Sequence, residues 1–286
     1  MSKAIPLTDV LEETIDCMEE HTMNRCDCRV GMILTLLVTV LCPLAAAGAP
    51  PEAGKGLTNP FFAYSVSVPD QVLRDLGYAP IHNLYVGISL DKEPAYAPGL
   101  KDQIKALQGT NTIFWLTVLG GKAKESDAQA VELIRELGAA AEEAGVRVAL
   151  YPHAGFYVAN ARDALRLVKQ VDRKNVGLSI TLCHELMADN GKELPQIVDE
   201  VAPHLFVVTI NGADSKEKGQ SMGWDRLIQP LGQGSFDVYA FLKKVKEAGF
   251  NGPIGLQCYG LKGDPVVHLT QSIKTWKEYC ARMANQ

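Results

Sequence analysis

IFWLTV at 113–118, VRVALY at 146–151, VGLSI at 176–180 and LFVVTI at 205–210 are four apolar runs that begin about 30 residues apart. Their β-branched and aromatic content suits strands covered on both faces. Between the first two, Ser126 and Gln129 have capping-box spacing, and Val131, Ile134, Leu137 and Ala141 repeat at helical intervals before Gly145. A helix between successive buried strands implies parallel pairing, because parallel neighbours need a crossover and helices cover both faces of their sheet.

The same alternation extends outward. Strands are expected at 61–66, 84–90 and 253–257, with helices from Pro69 to before Gly77 and over 100–107, 162–170, 194–201 and 236–248. A last helix carries Leu269, Ile273, Trp276 and Cys280 at helical spacing. No glycine-rich dinucleotide fingerprint follows the first strand, which favours an α/β fold of the TIM-type β/α barrel over an open sheet. Only seven strong strands are legible where such a barrel has eight, and the link from the first helix to Leu84 is short. One βα unit is therefore expected to be missing near residues 77–84.

The chain has 286 residues, 47% hydrophobic and 21% charged, with a net charge of −5. These values disfavour disorder and coiled coil, and no basic surplus supports nucleic-acid binding. The charge is uneven: residues 1–22 are acidic, after which Arg25 and Arg29 precede the apolar run Met32–Leu41 and Ala47-Gly48-Ala49. That order is expected of a secretory signal, with Met23 or Met32 as an alternative start. The run breaks at Pro43 and is too short for a stable membrane anchor, so residues 50–286 are expected to form a barrel domain that is periplasmic or secreted. Beyond the prefix remain Cys183, Cys258 and Cys280, too few to indicate a disulfide framework.

Strand carboxyl ends converge on one mouth in a β/α barrel, and here they are polar: YPHAG at 151–155, TLCHE at 181–185, TINGAD at 209–214 and QCYGLK at 257–262. His153 and His184 have the ordinary acid/base range for proton exchange near neutral pH, or they order loops through backbone contacts. Glu185 is either a third acid/base group or a solvated turn residue. Tyr151, Asn211 and Gln257 offer directional hydrogen bonds to hydroxyl groups, and Lys262 offers a cation for an oxyanion unless it faces solvent. Trp115 would stack on a sugar ring or belong to the core. Tyr157 and Trp224 are further loop candidates.

The segments VALYPHAGFYV, NVGLSITLCHEL, LFVVTINGAD, LIQPLGQGSFDV and GPIGLQCYG resemble the xylose-isomerase-like TIM-barrel superfamily over roughly 60–280, and within it an exported bacterial branch of sugar phosphate isomerase/epimerase-like proteins. The resemblance implies a barrel acting on sugars. It also implies a divalent metal held by two glutamates, an aspartate and a histidine. At the matching positions this chain has Tyr151, Thr181, Thr209 or Asn211, and Gln257, whereas His184 matches a common histidine that either stands behind the metal ligands or faces the substrate. Neutral oxygens do not offset a divalent charge, so no metal or other cofactor is expected at that centre, and a different metal site would have to use His153, His184 and Glu185.

Two functions follow as expectations. One is a sugar isomerase or epimerase, or a related keto-sugar lyase, working by proton transfer at His153 or His184. The other is a carbohydrate-binding or scaffold protein that keeps the polar mouth without turnover. A small carbohydrate is the expected partner in both, and the sequence leaves oligomerisation open.

Overall fold

The computed structural model describes residues 56–285; the acidic extension and secretory signal read at 1–49 lie outside them. In chain order the elements are β1 (Phe61–Tyr64), α1 (Asp70–Leu76), β2 (His82–Ser89), α2 (Leu100–Ala106), β3 (Thr112–Leu119), α3 (Asp127–Glu143) and β4 (Val148–Leu150). Then follow α4 (Ala161–Val171), β5 (Val176–Thr181), α5 (Leu182–Met187), α6 (Leu194–Val201), β6 (Leu205–Ile210), α7 (Trp224–Leu227), α8 (Val238–Glu247), β7 (Ile254–Gln257) and α9 (Pro265–Ala284). The strand alternation thus appears as read, with β1 and β4 shorter than their apolar runs.

The seven strands form one parallel sheet in the order β1-β7-β6-β5-β4-β3-β2. The last strand pairs with the first, Phe61 opposite Ile254 and Tyr64 opposite Gln257, so the sheet curls into a barrel left open between β1 and β2. That opening falls where the short connection placed it. Gly77 closes α1 at φ 98°, a backbone that suits a residue without Cβ, and the chain turns back at once. Ala79 N–H then donates to Phe61 O at 2.7 Å, and three residues later His82 N–H reaches Asn111 O beside β3. Ala79–Ile81 is therefore a stub in the place of a strand.

The main core lies between sheet and helices, and a second cluster fills the barrel interior with Phe62, Tyr64, Trp115, Ala149, Tyr151 and Val207. Gly255 makes room for this filling, since a Cβ there would stand 2.7 Å from the Phe62 ring.

The capping box proposed for α3 does not form. A short 3-10 turn, Ala123–Ser126, precedes the helix; Ser126 Oγ accepts Lys122 N–H, and Gln129 Nε2 reaches Leu90 O. Side-chain groups with the right spacing found partners outside the helix they were expected to cap.

Candidate active site at the barrel mouth

At the end of β4 the chain leaves the sheet through Pro152 and His153, while β5 runs directly into α5, whose first turn carries His184. The two adjacent strand ends bring the imidazole centroids to 4.2 Å. One residue fixes both rings. His153 Nδ1 lies 3.0 Å from Ala154 O, and Ala154 N–H donates to His184 Nδ1 at 3.2 Å. A carbonyl only accepts and an amide N–H only donates, so neutral His153 carries its proton on Nδ1 and neutral His184 on Nε2. His153 Nε2 is then a proton acceptor beside a donor, His184 Nε2–H. Neither Nε2 has a hydrogen-bond partner among the described residues.

Burial keeps both rings neutral. Loss of water lowers His153 to about 4 against the opposing hydrogen bond to Ala154. The same desolvation, reinforced by His153, pushes His184 well below the ordinary range. Phe156 stacks on His153 with centroids 4.0 Å apart, and Trp224, from α7, meets His184 in a T-shaped contact with centroids 5.1 Å apart. Together they enclose the pair in aromatic surface.

Beneath it lies a neutral hydrogen-bonded group from strands far apart in sequence. Gln257 Oε1 accepts Tyr259 N–H, which orients the amide so that Nε2 donates to Tyr151 Oη at 3.3 Å; Tyr151 and Tyr64 hydroxyls lie 3.2 Å apart. Burial raises both phenols well above their ordinary range, so they stay protonated. Asn211 donates to Gly212 O and Leu227 O, which ties the β6 end to α7, and its Oδ1 is buried without a partner, as is Thr181 Oγ1.

The remaining candidates stand apart from the pair. Glu185 is fully buried, but its oxygens accept Ala161 N–H at 2.6 Å and Asn190 Nδ2 at 2.7 Å, a cap on α4 rather than a bond to either histidine. Burial lifts its carboxyl to about 7 despite those hydrogen bonds. Lys262 is exposed, and its carbonyl accepts His268 Nε2. Trp115 has no exposed surface; Phe62, Tyr64 and Tyr151 surround it, so the sugar-stacking role read for it is corrected to core filling. Tyr157 donates to Asp127 at 2.7 Å. The sequence reading missed Phe156 and Tyr64. Strand alternation puts Tyr64 on the side of Phe62, but only the closure of β1 on β7 carries it to Tyr151.

The metal implied by the resemblance does not fit this donor set. Tyr151 and Gln257 are neutral and bonded to one another, and Thr181 and Thr209 add only hydroxyls. Among the described residues no three His, Cys, Asp or Glu side chains gather into a metal-holding group.

Comparison with known proteins places this geometry in context. A family model described as xylose isomerase-like TIM barrel matches residues 71–279. Inosose isomerase of Bacillus subtilis (strain 168) is 30% identical over 139 residues, 48% of each chain. 3-Dehydroshikimate dehydratase of Pseudomonas aeruginosa is 27% identical over 154 residues, 53% of this chain and 24% of that one. The chain thus spans about half or less of the length of these curated relatives. The fold is shared with 3-keto-D-glucoside 4-epimerase from E. coli, with a TM-score of 0.61 at 16% identity over 78% of this chain and 100% of the other. It is shared with an L-ribulose 3-epimerase at 0.59 and 13% identity, over 79% and 84%.

Proposed function

This chain belongs to the xylose isomerase-like TIM barrel family, and from that premise we propose that it is a sugar isomerase/epimerase-like enzyme acting on an uncharged keto-sugar without a divalent metal. The observation that carries the reading is the opposed tautomers of His153 and His184, fixed by the single residue Ala154. A proton acceptor and a proton donor side by side match the two demands of enolisation.

His153 Nε2 takes the proton from the carbon beside the carbonyl. The C–H electron pair becomes the C=C bond, and the carbonyl π pair moves onto oxygen, where His184 Nε2–H stabilises it by a hydrogen bond. A neutral imidazole is suited to this, because it polarises an oxyanion without having to surrender its proton. For isomerisation the His153 imidazolium returns the proton, on the face from which it was taken, to the neighbouring carbon, while the proton of the vicinal hydroxyl passes to the enolate oxygen. For epimerisation the enolate must turn over in the mouth, so that the same imidazolium protonates the opposite face of the original carbon. If a β-hydroxyl departs as water instead, the same first step makes the protein a lyase. Asn211 and Gln257 position the walls of the mouth, and Glu185 holds α4 beside it. The secretory reading of the prefix supports a substrate met outside the cytosol, where phosphorylated sugars are scarce.

Carbohydrate recognition without turnover is the second reading. It is favoured by the same burial that makes His153 a weak base at about 4. The deciding experiment incubates the full chain with a 3-keto-glucoside and with an inosose in D₂O and follows the carbon-bound protons by NMR. Turnover predicts deuterium at the carbon beside the carbonyl, slowed by roughly 10²-fold or more in His153→Gln. Saturable binding without exchange would establish the recognition reading, and neither binding nor exchange would sink both.

A further inference from the structure

We propose that the floor of the barrel, at the opposite end from the histidine mouth, is a second binding site for a small carboxylate with an apolar body. A cavity of ≈ 380 Å³ opens there among the amino-terminal ends of the strands. That volume lies within the range of small-molecule sites, roughly 300–1,000 Å³. It exists because of the missing unit. Where an eighth strand would place side chains across the floor, the stub supplies only Ala79 and Ile81, both part of the cavity wall.

The two sides of the cavity differ in chemistry. Ile81, Ile113, Ala149 and Val207 make an apolar wall continuous with the barrel interior. At the lip, the Arg147 guanidinium lies 4.7 Å from the centre of the Phe206 ring. Among the described residues Arg147 forms neither a salt bridge nor a side-chain hydrogen bond, so its planar fork of N–H donors is held in place by stacking yet uncommitted. A guanidinium so placed recognises a planar carboxylate through paired N–H donors, which an amide or alcohol of the same shape does not match. The apolar wall then accepts the ligand's hydrocarbon part. Ligand chemistry at this end is independent of the reaction proposed at the mouth.

The test titrates the full chain with benzoate and hexanoate, using benzamide as the neutral isostere, by calorimetry and by the shift of the Tm. The expected result is saturable, salt-sensitive carboxylate binding that raises the Tm, at least about tenfold tighter than benzamide. Arg147→Gln, at an exposed position where folding is not at stake, should weaken carboxylate binding at least tenfold and leave benzamide unchanged. Ala149→Leu, which narrows the cavity, should weaken both probes; its fold is verified by circular dichroism. Absence of saturable binding to about 10 mM, equal affinity for benzoate and benzamide, or indifference to Arg147→Gln would each overturn the proposal.

Discussion

β5 and β2 belong to one sheet but live in different surroundings. Every residue of β5 is buried, between two paired neighbours and beneath α4, whose own buried face includes Leu165, Leu167, Val168 and Val171. In β2 only Ile88 is buried, and α1 on the other side of the opening buries no residue. The loss of one βα unit is thus borne by the strands and helix that flank it. The histidine pair follows the carboxyl ends of β4 and β5, away from that opening, where packing holds side chains to one geometry.

This contrast is sharpest in stability. Leu178→Ala, in β5, should cost about 2–5 kcal/mol, whereas Leu84→Ala, on the half-buried edge strand, should cost about 1 kcal/mol or less. Urea midpoints at unchanged m-value measure both. Equal losses would mean that the opening is closed in solution.

The packed side also carries the pH dependence, with two contributions of opposite sign. His153 has an ordinary value of 6.5 and about 4 when folded, so the unfolded chain binds more protons between those values. Its contribution is complete above 6.5 and is lost as pH falls towards 4, by about 3 kcal/mol at most. His184 acts in the same direction. Glu185, raised from 4.5 to about 7, holds its proton more firmly when folded, so its contribution is complete below 4.5 and is lost as pH rises to about 7. Stability curves of His153→Gln and Glu185→Gln should flatten on opposite sides, the first resisting acid and the second resisting the rise to neutrality. Parallel curves for wild type and both variants would refute the burial of these groups.

A smaller effect tests the closure of β1 on the far side of the barrel. Tyr64→Phe removes one member of the hydroxyl pair with Tyr151 while keeping the ring, and should cost about 0.5–1.5 kcal/mol in thermal denaturation. No loss would place the two hydroxyls apart in solution. Least of all should be the effect at the exposed Lys101–Glu136 pair: Lys101→Met is expected to leave the urea midpoint unchanged within error, in low salt and in about 0.5 M salt alike.

Much of the barrel was legible along the chain because strand and helix periods are local properties. The runs from 113 to 210 announced β3 to β6, Gly77 and Gly145 ended their helices in left-handed conformations, and the short step to β2 revealed the missing unit. Local pattern misled at Ser126, whose hydroxyl had a competing partner in Lys122 N–H, and it left α5 hidden inside a polar strand end. His153 and His184 were recognisable as residues at strand ends, but Glu185, beside His184 in sequence, faces the helix α4 instead.

What the sequence determined by itself is the order and parallel direction of the strands, and hence which residues stand at the mouth. Tertiary structure alone decided the rest. The proximity of Tyr64, Tyr151 and Gln257 depends on the sheet curling until β7 meets β1, and the tautomers of His153 and His184 depend on one peptide lying between them. The reason is physical: periodicity is written residue by residue, whereas the partner of a buried proton is set by whatever the fold brings within hydrogen-bonding reach of it.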